Sequence, residues 1–73
     1  MTLDRLKVGG HGKIVAVGGE GALRRRLLDM GITRGTEITL LKVAPLGDPL
    51  EVSLRGFTLS LRRAEAAMVE TEN

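Results

Sequence analysis

The chain has 73 residues, room for one domain spanning 1–73 and no more. Hydrophobic residues make up 42% and charged residues 27%, the balance of a folding globular domain rather than a disordered or collagen-like one. Eleven Lys and Arg against nine Asp and Glu leave a formal charge of +2, and the lack of Cys, Trp and Tyr excludes a disulfide scaffold, a thiol nucleophile, a cysteine zinc site and aromatic base stacking.

In chain order, Thr2 is placed to cap a single turn carrying Leu3 and Leu6, and Gly9-Gly10-His11-Gly12 reads as a flexible bend. Lys13-Ile14-Val15-Ala16-Val17 follows as a short β-branched strand ended by Gly18-Gly19. From Glu20 to Met30 the apolar period changes to 3.6, placing Leu23, Leu27 and Met30 on one stripe with Leu28 beside it. This is the one convincing helix, about 20–30, with Gly31 suited to its C-terminal cap.

Thr36 to Ala44 reads as a strand whose apolar face switches sides between Leu40 and Leu41, which a bulge would reconcile. Pro45-Leu46-Gly47-Asp48-Pro49 is a tight loop. Beyond it, Leu50, Val52 and Leu54 alternate with polar residues, as do Phe57, Leu59 and Leu61 after Arg55-Gly56. A two-residue turn at Arg55-Gly56 pairs Leu54 with Phe57, Val52 with Leu59 and Leu50 with Leu61, so every apolar side chain falls on one face. Arg63 to Ala67 fits one helical turn, and Met68-Val69-Glu70 a last strand able to pair with the first.

Five short strands with one-sided faces predict a mainly β fold, a small SH3-like antiparallel barrel whose closure removes exposed edges. The helix plugs or flanks one end; a split α+β sheet is the alternative. The core is aliphatic, built from Leu, Val and Ile with Phe57 as its one aromatic, and worth about 3–5 kcal/mol net. No apolar run approaches the ~18 residues needed to cross a bilayer, and the first residues lack the pattern of a leader peptide, so a cytoplasmic protein is expected.

No catalytic constellation is present. His11 stands alone, without a nucleophile at a recognisable spacing, and reads as an exposed loop residue; neither a catalytic site nor a metal site is expected. Gly18-Gly19-Glu20-Gly21 lacks the lysine and the spacing of a phosphate loop and reads as a strand-to-helix bend. Arg24-Arg25-Arg26 is the densest charge cluster, yet at 100° per residue its members point in three directions. Arg25 faces away from the apolar stripe, within reach of Asp29; Arg26 borders the stripe, where its guanidinium meets a carbonyl or a carboxylate. The cluster reads either as a solvated face or as a contact for an acidic partner surface; as a nucleic-acid footprint it is weak, since acidic residues are nearly as abundant and no aromatic interleaves it. In the Pro45–Pro49 loop two prolines stiffen a tip that carries the apolar Leu46. Either Leu46 and Asp48 meet a partner, or Leu46 folds back over the barrel end and Asp48 caps the turn.

Taken together, Arg26-Leu27-Leu28-Asp29-Met30-Gly31-Ile32-x-x-Gly35-Thr36, then Ala44-Pro45-Leu46-Gly47-Asp48-Pro49, then Leu59-x-Leu61-Arg62-x-x-Glu65-Ala66 closely resemble the FeoA family, from about Leu3 to Val69. The resemblance implies an SH3-like barrel, a role in bacterial ferrous iron uptake without cofactor or enzymatic activity, and association with the membrane transporter FeoB through its cytoplasmic GTP-binding part. The expected location is cytoplasmic, peripheral at the inner membrane through that partner, with weak homo-oligomerisation left open. The matching positions Arg26, Leu27, Met30, Gly31, Gly35, Pro45, Gly47, Asp48, Pro49, Leu61 and Arg62 read mostly as fold determinants. Partner contacts are expected at Arg24, Arg25, Leu46 and Asp48. Two alternatives stay open: a GTPase-activating role for a helix arginine, and a metal-regulated interaction module like the C-terminal domain of iron-dependent repressors.

Overall fold

The structure, a computed structural model, describes residues 1–72. Five antiparallel strands, β1 (His11–Val17), β2 (Glu37–Val43), β3 (Leu50–Leu54), β4 (Phe57–Leu61) and β5 (Val69–Glu72), form one sheet in the order β4-β3-β2-β1-β5. Helix α1 (Gly21–Asp29) joins β1 to β2, the short α2 (Arg63–Ala66) joins β4 to β5, and a 3₁₀ turn at Leu3–Arg5 precedes β1. This is the expected mainly β architecture with one principal helix.

The hairpin register is the one that alternation demands: Leu54 pairs with Phe57, Val52 with Leu59 and Leu50 with Leu61. Between Arg55 and Gly56 the chain turns through the left-handed region, with φ of +49° and +85°. That pair of positive angles matches the twist of the flanking strands. In β2 the register against β3 slips between Leu40 and Lys42, leaving Leu41 as the extra residue on the exposed side while Ile38 and Leu40 stay buried.

Helix α1 closes in a Schellman motif: the Gly31 N–H donates to Leu28 O at 3.0 Å and the Ile32 N–H to Leu27 O at 3.1 Å, with Gly31 at φ +92°. Leu27 and Ile32, joined by that bond, are both fully buried, so the cap also anchors the helix to the barrel. The remaining core is Leu3, Leu6, Ile14, Ile38, Leu40, Leu50, Val52, Leu54, Leu61, Ala66 and Val69, aliphatic throughout.

Four details differ from expectation. His11 and Gly12 belong to β1 rather than to a bend: Gly12 is buried and pairs with Ile38, and His11 is exposed on the strand, opposite Thr39. Thr2 does not cap the first turn with its side chain but donates to Asp4 Oδ1, while its backbone bridges Glu70. Phe57 is 43% exposed and lies over the α1 cap, its ring edge 3.7 Å from where a Cβ on Gly31 would stand, rather than in the core. The last strand begins at Val69, one residue late, because the Met68 N–H is still held by Glu65 O at 3.0 Å in the turn that ends α2.

The sheet curls into a barrel without a ladder between its outer strands; among the described residues β4 and β5 do not pair. The N-terminal segment flanks β5 instead. Met1 and Thr71 exchange backbone bonds, the ammonium to Thr71 O at 2.9 Å and the Thr71 N–H to Met1 O at 2.7 Å, with the Thr71 hydroxyl also donating to Met1 O. Edge protection on that side is by cover rather than by a fifth pairing, which corrects the expectation of full closure.

Candidate partner-docking surface

The loop between β2 and β3 is held from both ends. Ala44 N–H donates to Pro49 O at 3.0 Å and Gly47 N–H to Ala44 O at 2.7 Å; Gly47 sits at φ +91°, and the Asp48–Pro49 peptide is cis. At its tip Leu46 is 98% exposed, so it does not fold back over the barrel end. Solvating a leucine this fully forgoes about 1.5–3 kcal/mol of burial. The loop nevertheless has a fixed shape.

The residue that fixes it is Arg63, at the start of α2. Its Nε donates to Gly47 O at 2.8 Å, its Nη1 to Asp4 O at 3.1 Å, and its backbone N–H to Asp48 Oδ1 at 3.1 Å. One residue thus ties the β2–β3 loop, α2 and the N-terminal turn together. Asp48 is thereby committed to the first N–H of α2 rather than to its own turn, and its second oxygen makes no hydrogen bond among the described residues.

The three helix arginines have three separate fates. Arg26 reaches across to α2 and pairs with Glu65, whose other oxygen, Oε1, accepts the Arg62 N–H at 2.8 Å. Arg24 turns back along the helix, its Nε donating to Val17 O at 3.2 Å, and lines a shallow hollow with Val15, Ala16, Val17, Leu28 and Arg34. Arg25 is exposed and makes no hydrogen bond or ion pair among the described residues; the expected pair with Asp29 is not formed. Of the four residues expected to meet a partner, Arg24 and Asp48 therefore already serve the fold, while Leu46 and Arg25 are uncommitted.

The matching motif positions divide similarly. Leu27 and Leu61 are fully buried, Met30 packs at the core margin, Gly31, Gly35 and Gly47 take positive φ, and Pro45 and Pro49 frame the loop. Arg62 precedes α2 and is exposed. Arg63 was not legible as a site residue, because its partners lie 15 to 59 positions away and no local spacing signals them.

Among the described residues no group of three His, Cys, Asp or Glu side chains is arranged to hold a metal ion, and no helix is long and apolar enough to cross a membrane. What the surface presents is an apolar tip at Leu46 and exposed cationic side chains on a hydrogen-bonded frame.

The family model described as the FeoA domain matches residues 1–73. A Porphyromonas gingivalis protein named as a fusion of Fe(2+) transport protein A with the Fe(2+) transporter FeoB is 42% identical over 72 residues, 99% of this chain and 8% of that protein's length. The solution structure of FeoA protein from Chlorobium tepidum is 44% identical and superposes with a TM-score of 0.88 over 96% of this chain and 67% of that one. Stenotrophomonas maltophilia FeoA, crystallised with zinc and described as a prokaryotic SH3 domain protein, is 29% identical with a TM-score of 0.87, covering 99% of this chain and 89% of that one.

Proposed function

The chain belongs to the FeoA family, and from that premise we propose that it is a non-enzymatic accessory subunit of ferrous iron uptake, docking through the Leu46 loop on the cytoplasmic GTP-binding part of a FeoB-type transporter. The observation that carries the reading is Leu46 itself. A leucine 98% exposed on a loop clamped by Arg63 is an apolar contact already paid for in conformational entropy. The fusion relative supports the choice of partner, since a domain of this kind there shares one polypeptide with the transporter. Arg25, without a partner among the described residues, adds a cation to the contact.

The test is a pull-down with the cytoplasmic region of a FeoB-type transporter, in GTP and in GDP, using wild type, Leu46→Asp and Arg25→Glu. Weakened capture by both variants is the expected result. Full capture by both removes these residues from the interface.

A second reading gives Arg25 a regulatory role: among the helix arginines it alone has its guanidinium unengaged among the described residues, the state required of a side chain inserted into a partner's nucleotide site. GTP hydrolysis by the transporter domain that is identical with and without this protein excludes it.

A further inference from the structure

The turn between β3 and β4 meets the segment leading from α1 into β2 around a hollow lined by Arg34, Gly35, Thr36, Glu37 and Arg55. Arg55 stands at the first position of its turn with φ +49°, where Asn, Asp or Gly is the usual occupant. Its side chain is fixed from below. Nη2 donates to Thr33 Oγ1 at 3.0 Å and to Thr36 Oγ1 at 2.8 Å, and the two hydroxyls lie 3.0 Å apart.

Counting donors exposes an imbalance. A guanidinium carries five N–H groups and a hydroxyl one. Both Nη2 protons of Arg55 are used on the threonines, and one hydroxyl proton bridges the pair. The second hydroxyl proton, the Nε and Nη1 protons of Arg55 and the whole guanidinium of Arg34 have no acceptor among the described residues. The one carboxylate lining the hollow, Glu37, is in no ion pair. Thr36 is only 6% exposed, so the exposed Arg55 is held by a residue in the body of the protein, while Arg34 stands exposed at the rim of the hollow.

We propose that this hollow binds a phosphate group, held by the free edge of Arg55, by Arg34 and by the spare threonine hydroxyl. Two guanidiniums and a hydroxyl lining one hollow offer more donors than the two oxygens of a carboxylate readily take up, whereas a tetrahedral phosphate supplies three or four. The site is separate from the Leu46 loop and stands whether or not that loop docks a transporter. Either free inorganic phosphate or a phosphate monoester presents the chemistry.

Amide and arginine Nε resonances, followed during titration with inorganic phosphate, glycerol phosphate, acetate and sodium chloride at matched ionic strength, test the assignment. Saturable shifts at Thr33, Thr36 and Arg55 with a phosphate, absent with acetate and chloride, are expected. Response to both phosphates identifies the bare group as ligand, and response to the monoester alone assigns the site to organic phosphates. Arg55→Gln and Thr33→Val should each weaken binding about tenfold while the rest of the spectrum stays that of the folded wild type; Arg5→Gln, at an exposed residue away from the hollow, should leave phosphate binding unchanged. Equal shifts with acetate or chloride, or equal weakening by Arg5→Gln, overturn the site in favour of general charge screening.

Discussion

Arg26 on α1 and Glu65 on α2 form the one ion pair among the described residues that reaches a buried side chain: Glu65 is 6% exposed, whereas the Arg26 side chain is 61% exposed. The arginine brings its charge to the surface end of the pair, and the carboxylate also accepts the Arg62 N–H that opens α2. The pair joins the two helices across 39 residues of chain. Its two halves are not equivalent, because removing the arginine leaves a charge in the interior while removing the glutamate leaves one in water.

Arg26→Ala is therefore expected to cost about 2 kcal/mol, and Arg26→Ala with Glu65→Ala less than the sum of the single changes by about 1 kcal/mol. Urea unfolding of the four proteins in the cycle measures this. Strict additivity would show that the pair contributes nothing beyond its separate contacts.

Leu46→Ser should leave stability within about 0.5 kcal/mol of wild type, since almost none of that side chain is buried. Leu27→Ala, at a fully buried position, should cost about 2–5 kcal/mol and leave so small a domain largely unfolded at room temperature. Thermal melts of the two variants give the contrast directly. A loss of partner capture by Leu46→Ser at unchanged melting temperature separates a binding role from a structural one.

Arg63→Ala should cost about 1.5–3 kcal/mol, the usual worth of hydrogen bonds to a charged donor, and should speed amide exchange at Gly47. Arg63→Lys should recover only part of this, because an ammonium cannot span Gly47 O and Asp4 O as the planar fork does. Exchange at Gly47 unaltered in Arg63→Ala would mean that the prolines alone hold the loop.

Gly31→Ala should destabilise by about 1–2 kcal/mol through its left-handed backbone rather than by a clash, since the nearest atoms to the new Cβ, Phe57 Cζ and Leu54 Cδ1, stand at 3.7 and 3.9 Å. Gly31→Asn should lose roughly half as much, asparagine being the better tolerated residue at this cap. Chemical denaturation of the two variants checks the order.

What the sequence makes legible is what local pattern determines. The β3–β4 register follows from alternation plus a two-residue turn, the β2 bulge from the change of face at Leu41, and the α1 terminus from Gly31. Where a residue's environment is set by distant chain, the pattern misleads. Gly12 looks like part of a hinge but is buried against Ile38 of β2, and Phe57 keeps its register yet stays at the rim because α1 ends beneath it. The site shows the same division. The stiffness of the Leu46 loop is visible in its prolines, but the side chain that clamps it, and the threonine pair that orients Arg55, come from contacts between segments far apart in sequence.

The mutual bonding of Met1 and Thr71 has a consequence for topology. The first residue and the end of the last strand are hydrogen-bonded neighbours, so a tether attached before Met1 and one attached after β5 emerge side by side. An upstream peptide would turn the ammonium into an amide, keeping a donor for Thr71 O and giving up only the exposed 3.5 Å pairing with Glu70. A peptide extension before Met1 is therefore expected to leave the Met1–Thr71 pairing in place. By the same geometry the domain should accept circular permutation, with a short glycine bridge from beyond β5 to Met1 and a new opening at the solvent-facing tip beside Leu46.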